Sequence, residues 1–280
     1  MSSSLDNITQ AKGLLFVPAS RADRISKAFA TGVDSVIVDL EDAVAPANKE
    51  RARQDLLDWL NANTHNKVIV RINATNTLWY KNDLAICSHA GIAAIMLPKA
   101  ESSIVINEIF DKIGKPIIPL IETVAGLDAV REIASSVGCV RLAFGKLDLA
   151  VELNLDTNES ESDELIFLAY RAMLIMASYR ANLVAPIEGV FTDINDLNAL
   201  ASYTKRAKQN GFGGQLLIHP KQVAVVRDVF HPKLSEIRWA SSVLSTSKLN
   251  KGEVAVIDNK MVDAPVIAKA KRILQDANIS

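Results

Sequence analysis

Glu122 closes the apolar run PIIPLIE, and Asp148 follows the run VRLAFGK. If those runs are neighbouring strands, about 4.8 Å apart, both carboxylates can reach one ion. Two carboxylates, with the other positions left to water or substrate, match Mg²⁺, which takes oxygen ligands at about 2.0–2.1 Å. Zinc and iron sites favour imidazole or thiolate ligands, and the sequence suggests none here. The structural alternative is that one of the pair only salt-bridges Arg71 or Lys99.

Arg71 ends the run KVIVR, where a guanidinium can clamp a carboxylate in two places or stabilise a forming oxyanion. Its alternative role is as partner to Asp39 or Glu41. The segment VDLEDAV sets Asp39, Glu41 and Asp42 around the end of another run. Alternation points Asp39 and Glu41 to one side and leaves Asp42 to order metal waters or the Arg71 fork. At least one of the three is expected in a purely structural ion pair. Lys99 in MLPKAE raises the possibility of a Schiff base, which needs a strongly lowered pKa. With Glu101 and the metal carboxylates nearby, the expectation is that Lys99 stays charged. His219 can be an acid–base group, although a hydrogen-bonded structural histidine is favoured. Arg21 and Arg24 can contact the phosphates of an anionic cofactor, or one of them is a solvated helix residue. Gly189 and Gly213-Gly214 read as turn punctuation.

These residues need a scaffold, and the sequence supplies one. Eight short apolar runs (GLLFVPA, SVIVDLE, KVIVRIN, AAIMLPK, PIIPLIE, VRLAFGK, LVAPIEGV and GQLLIHP) alternate with mostly helical sequence. Each reads as a buried parallel strand. Eight such units predict an α/β fold, a closed (β/α)8 TIM barrel whose active site lies at the carboxyl ends of the strands. Helices are expected over Ser20–Ala30, Asn48–Ala62, Val124–Val137 and Asp163–Asn182, the last preceded by a polar surface excursion, NLDTNESESDE. The first 12 residues read as a loose tail rather than a signal peptide, because they lack a basic start and an apolar stretch. Residues 13–230 form the barrel. Residues 231–280 remain as a helix–hairpin–helix extension, with Asp258-Asn259 at the hairpin turn.

Composition narrows the function further. A hydrophobic fraction of 49% supports a large core, and a formal net charge of −1 gives no global attraction to nucleic acid or an anionic membrane. Cys87 and Cys139 lack zinc-like spacing and read as reduced core thiols, which implies a cytoplasmic address. No apolar run approaches the ~20 residues of a transmembrane helix. So many ionisable groups at one barrel mouth point to an enzyme.

Taken in order, LLFVPASRADRI, VIVDLEDAV, VRIN, MLPKAES, PLIET, LAFGKLDLA, GVFTDIND and LIHPKQV resemble the citrate lyase β-subunit-like family, within the phosphoenolpyruvate/pyruvate-binding barrel lyases. No single motif is diagnostic, but eight in the correct order are specific. The resemblance runs from residue 13 to residue 275. It implies Mg²⁺-dependent carbon–carbon bond cleavage or formation on 3-hydroxyacyl thioesters, usually coenzyme A (CoA) esters. It places the metal on Glu122 and Asp148, and substrate contact on Arg71 and Glu122. It also implies a homotrimer or hexamer in which an aspartate near the carboxyl terminus, here Asp263 in KMVDAPV, transfers a proton in the neighbouring subunit's site. The extension then serves as a lid. Two departures, Ala19-Ser20-Arg21-Ala22 in the first loop and Lys146-Leu147 before Asp148, bear on cofactor contacts and thioester preference. The expected substrate is citramalyl-CoA, followed by malyl-CoA. The alternatives are a β subunit cleaving citryl thioester on an acyl-carrier protein, a malyl-CoA thioesterase, and a catalytically silent scaffold.

Overall fold

A computed structural model describes residues 8–155, 161–249, 255–257 and 260–277. Each of the eight apolar runs contains a strand: β1 (Gly13–Pro18), β2 (Ser35–Asp39), β3 (Val68–Arg71), β4 (Ile92–Leu97), β5 (Ile117–Ile121), β6 (Ala143–Phe144), β7 (Ile187–Glu188) and β8 (Gly214–Leu217). They pair in parallel in chain order, and β8 returns to β1 to close the barrel. Strands β6 and β7 are shorter than their runs, and β7 begins directly after Pro186, which lacks a backbone donor.

The strand pleat explains what fills the barrel and what crowns it. Leu14, Ile37, Ile69, Met96, Ile118, Leu120, Ala143 and Leu216 share the interior cluster. Burying each large aliphatic side chain stabilises the fold by about 1.5–3 kcal/mol. Successive side chains alternate faces, so two residues beyond Ile37, Ile69 and Leu120 the inward face carries Asp39, Arg71 and Glu122. Residues of the opposite face, including Val36, Val38, Val70, Ile95 and Ile121, are also buried. That two-sided burial is why the runs are continuously apolar. Parallel register sets Asp39 directly beside Arg71.

The outer helices largely follow their apolar stripes. The helix Lys49–Ala62 buries Ala52, Leu56, Trp59 and Leu60. The continuous helix expected over Val124–Val137 is instead two short ones, Val124–Asp128 and Val130–Ala134, broken at Ala129. The helix Glu161–Arg180 starts two residues before the expected Asp163. Cys87 and Cys139 are free and buried, and burial pushes both thiols up to about 12. No helix among the described residues is long and apolar enough to cross a membrane.

The expectation of a loose tail over residues 1–12 needs correction for its described part. Ile8 and Ala11 are buried in the barrel's interior cluster. The wholly buried Arg141 guanidinium donates to Ile8 O at 3.2 Å, to Ala11 O at 2.7 Å and to Ala185 O at 2.8 Å. Burial pulls Arg141 down to about 9, opposed by the charge of Asp34, while these carbonyls accept its hydrogen bonds. Gly213 and Gly214 are close-approach residues here, with neither in the positive-φ region. A Cβ on Gly214 would stand 2.7 Å from Ala11 O and 2.9 Å from Arg141 Nη2. Gly214→Ala is therefore expected to cost about 1–3 kcal/mol by overpacking, lowering the thermal midpoint by several degrees. A melt that matches wild type would contradict this account of the lower barrel.

The chain divides into compact units at Met1–Arg227 and Asp228–Ser280. The second unit holds the helix Leu234–Leu249, the antiparallel strands β9 (Ala255–Ile257) and β10 (Lys260–Val262), and the helix Ala264–Asp276. The expected turn residues Asp258-Asn259 lie outside the described residues, as do residues 156–160 of the NLDTNESESDE excursion, whose last four residues open the helix Glu161–Arg180. Ala240, Val243, Val262 and Ala270 form this unit's core, with Trp239, Ile267 and Ile273 packed against it. Asp263 caps the last helix by accepting a hydrogen bond from Val266 N at 3.1 Å.

Candidate active site at the carboxyl end of the barrel

Arg71 is gripped from the β2 side. Its Nε and Nη2 donate to the two oxygens of Asp39 at 2.8 and 2.7 Å, a bidentate fork. Its Nη1 lies 3.2 Å from Glu41 Oε2 and 3.6 Å from the exposed Asp42, and its guanidinium sits 4.8 Å above the centre of the Phe16 ring. The loop after β2 wraps its own carboxylate, with Glu41 N and Ala43 N donating to Asp39 at 2.9 and 3.1 Å. Burial opposes the charge on Arg71, but the hydrogen bonds and charge of Asp39 outweigh it and raise its pKa. Burial also pushes Glu41 up to about 7. Among the described residues, Glu41 Oε2 is buried without a hydrogen-bond partner.

Across the mouth, Glu122 is 2% exposed. Burial, reinforced by the charges of Glu41 and Asp148, holds it up to about 8. Its Oε1 accepts a hydrogen bond from Lys99 N at 2.8 Å. Lys99 has a φ of 46°, a strain of order 1–3 kcal/mol for a non-glycine residue, at the backbone position whose N–H meets Glu122. Gly145 leaves the space Glu122 needs, since a Cβ there would lie 2.7 Å from Glu122 Oε2. Lys99 Nζ is 3.6 Å from Asp148. Burial lowers the Lys99 pKa, but Asp148 and Glu122 outweigh it and the net shift is upward, the opposite of what a Schiff-base lysine needs.

A further buried carboxylate, at a strand end, escaped sequence reasoning. Glu188 ends β7 completely buried, accepting from Arg171 Nε at 2.7 Å, Tyr203 OH at 3.0 Å and Gly189 N at 2.8 Å. Lys146 stacks 4.8 Å over the Tyr203 ring. The available signal was the position of Glu188 at a strand end, the same feature that marked Arg71 and Glu122.

One cavity of about 380 Å³ is lined by Asp39, Asp42, Arg71, Glu122, Lys146 and Asp148, among others. It brings together most of the site residues expected from sequence, with Glu41 and Lys99 in contact with them. Arg21 is not among its lining residues. That side chain is paired with Asp23 at 3.0 Å and lines a neighbouring cleft of about 390 Å³ together with Arg24, Lys27 and His219. His219 Nδ1 accepts a hydrogen bond from Lys221 N at 3.2 Å, the structural role favoured for it. Asp263 belongs to the second compact unit.

Among the described residues, no three His, Cys, Asp or Glu side chains gather as a ready-made metal cage. Glu122 and Asp148 instead offer an all-oxygen pair beside an open cavity. That donor set fits a hard divalent cation such as Mg²⁺, which keeps water or substrate in its remaining positions.

Comparison with known proteins gives a consistent picture. The sequence profile of the HpcH/HpaI aldolase/citrate lyase family matches residues 12–220. A citrate lyase subunit beta-like protein of Mycobacterium tuberculosis is 33% identical over 267 residues, covering 95% of each chain. A (3S)-malyl-CoA thioesterase of Cereibacter sphaeroides is 29% identical over 272 residues, covering 95% of this chain and 94% of its own. The crystal structure of protein CitE from Mycobacterium tuberculosis in complex with magnesium, acetoacetate and coenzyme A aligns with a TM-score of 0.84 and 32% identity. That alignment covers 96% of this chain and 98% of the other.

Proposed function

The chain belongs to the HpcH/HpaI aldolase/citrate lyase family, and from that premise we propose that it is a Mg²⁺-dependent carbon–carbon lyase acting on a 3-hydroxyacyl-CoA thioester. Citramalyl-CoA, cleaved to acetyl-CoA and pyruvate, is the favoured substrate, followed by malyl-CoA. The observation that carries this reading is the pairing of Glu122 and Asp148 with Arg71 around one cavity.

In this reading Glu122 and Asp148 hold Mg²⁺, which supplies a Lewis acid for the substrate's hydroxyl and carboxylate oxygens. Loss of the hydroxyl proton to water turns the C–O bond into the carbonyl of the 2-oxoacid, and the adjacent C–C bond breaks. Its electron pair leaves as the enolate of the acetyl thioester. Arg71, fixed by Asp39 and Phe16, donates hydrogen bonds to the oxygens that gain charge, without reorganising as the reaction proceeds. Asp39, Glu41 and Asp42 hold that fork, and Lys99 balances the carboxylates. Asp263 of the partner subunit, in a homotrimer or hexamer, delivers the proton to the acetyl carbon. Asp263→Asn is expected to lower kcat at least about 100-fold with KM little changed, as steady-state kinetics would show. A normal kcat would remove Asp263 from the chemistry.

The cleft lined by Arg21, Arg24, Lys27 and His219 supports a free CoA ester, because clustered cations suit the phosphates of its nucleotide end. The likeness to a malyl-CoA thioesterase favours hydrolysis as a second reading, in which water attacks the thioester and free CoA is released. Offering citramalyl-, malyl- and citryl-CoA with Mg²⁺, and following acetyl-CoA, tests the reading and identifies the ester. Failure with all three, together with co-purification of an acyl-carrier protein, would favour the citryl-carrier alternative.

A further inference from the structure

A buried chain of polar side chains runs behind Arg71 and reaches the loop that holds it. Lys49 is 5% exposed. Its ammonium donates to Leu40 O, Glu41 O and Asn73 Oδ1, each at 2.7 Å. Asn73 Nδ2 donates to Leu40 O at 2.9 Å and to Asp83 Oδ2 at 2.5 Å, and Arg53 Nη1 reaches the other oxygen of Asp83 at 2.9 Å. All three protons of Lys49 are used, and two of its partners are consecutive carbonyls of the loop after β2. The next backbone groups of that loop, Glu41 N and Ala43 N, clasp Asp39, and Asp39 in turn forks Arg71.

Local preference argues against a lysine at this position. Lys49 opens a 14-residue helix whose Asn48 makes no side-chain cap, and a cation at a helix amino terminus is opposed by the helix dipole. Burying an ammonium adds a desolvation penalty. A buried residue that violates both preferences, yet places two of its three hydrogen bonds on one loop, is expected where geometry is being fixed.

We propose that Lys49 is the positioning residue of the Arg71 clamp: by holding the Leu40 and Glu41 carbonyls, it fixes the loop that aims Asp39 and Glu41 at the guanidinium. This rests on the reading above, in which Arg71 meets the oxygens of substrate and product. Lys49 lies on the β2–β3 side and makes none of the hydrogen bonds given for Glu122, so its effect should spare the metal.

The test is calorimetric binding of Mg²⁺, and then of pyruvate to the Mg²⁺-loaded protein, in wild type, Lys49→Met, Arg71→Lys and the double variant. Lys49→Met should leave Mg²⁺ affinity within about twofold and weaken pyruvate about 10- to 100-fold, the usual range for partners behind a site. In the Arg71→Lys background, which has already lost the fork, the same change should cost less than about twofold, because residues that act through one another are non-additive. Equal losses in both backgrounds, or a parallel loss of Mg²⁺ affinity, would overturn the proposal. Lys49→Gln, which keeps two donors, repeats the comparison if Lys49→Met does not fold. If neither variant folds, Lys49 is a stability residue and the proposal fails. Wild type that binds neither pyruvate nor glyoxylate with Mg²⁺ present overturns the lyase reading, and this proposal with it. Wild type that binds, with Lys49→Met binding equally well, overturns this proposal alone.

Discussion

Glu122→Gln should abolish Mg²⁺ binding and reduce turnover by at least about 1,000-fold, since the metal's electrostatic stabilisation amounts to several kcal/mol. The barrel should remain folded, because glutamine keeps an oxygen to accept the Lys99 N–H. Asp148→Ala should lose the metal as well, again without unfolding, as its side chain is 38% exposed. The acid–base behaviour of Glu122 adds a signature that simple damage would not reproduce. With its carboxyl held up to about 8 by burial, the metal-free protein retains that proton at pH 7, and Mg²⁺ must displace it. Affinity should therefore rise as pH rises, approaching tenfold per unit below about 8, with one proton released on binding. The stability linkage has the matching sign. A carboxyl whose folded pKa exceeds its unfolded value favours the fold at low pH, and that contribution is lost as pH climbs from about 4.5 through 8. Calorimetry in buffers of different ionisation enthalpy measures the proton directly. A pH-independent affinity would remove Glu122 from the metal site.

Arg71→Lys carries the second large effect. The variant preserves a positive charge but forfeits the bidentate fork to Asp39 and the flat contact with Phe16, so the substitution is not conservative. Removing one preorganised donor to a developing oxyanion costs about 100- to 1,000-fold in kcat, and that loss is expected here. Mg²⁺ affinity should stay close to wild type, because the proposed metal carboxylates, Glu122 and Asp148, follow β5 and β6. The fold will also weaken, since Asp39 and Glu41 lose a buried partner. Steady-state kinetics beside Mg²⁺ calorimetry separate the two effects. Wild-type kcat in Arg71→Lys would show that its ion pairs with Asp39 and Glu41 are its whole role.

Much of this site was legible in the chain because one physical constraint wrote it there. A strand buried on both faces must be apolar until it leaves the barrel, so the first polar residue facing inward marks the mouth. Asp39, Arg71 and Glu122 follow that rule. Glu188 also ends a strand but lies on the face opposite the interior Ile187, where its partners, Arg171 and Tyr203, come from helices 17 and 15 residues away in sequence. Lys49 and Asn73, 24 residues apart, left no periodic trace, because a hydrogen-bond chain depends on proximity in space. Gly214 was read as a turn residue, but its freedom is steric and set by Ala11 and Arg141, distant in the chain. The amino-terminal residues looked polar and loose because two buried side chains, Ile8 and Ala11, are too few to show a pattern.

In the proposed reaction the Glu122–Asp148 pair holds a metal that lets this barrel break a carbon–carbon bond. The most direct measurement is product stoichiometry from citramalyl-CoA, with malyl-CoA in parallel, in Mg²⁺ and then in excess EDTA. Equimolar 2-oxoacid and acetyl-CoA are expected with Mg²⁺, and neither product after chelation. Free CoA without a 2-oxoacid, or cleavage that persists in EDTA, would contradict it.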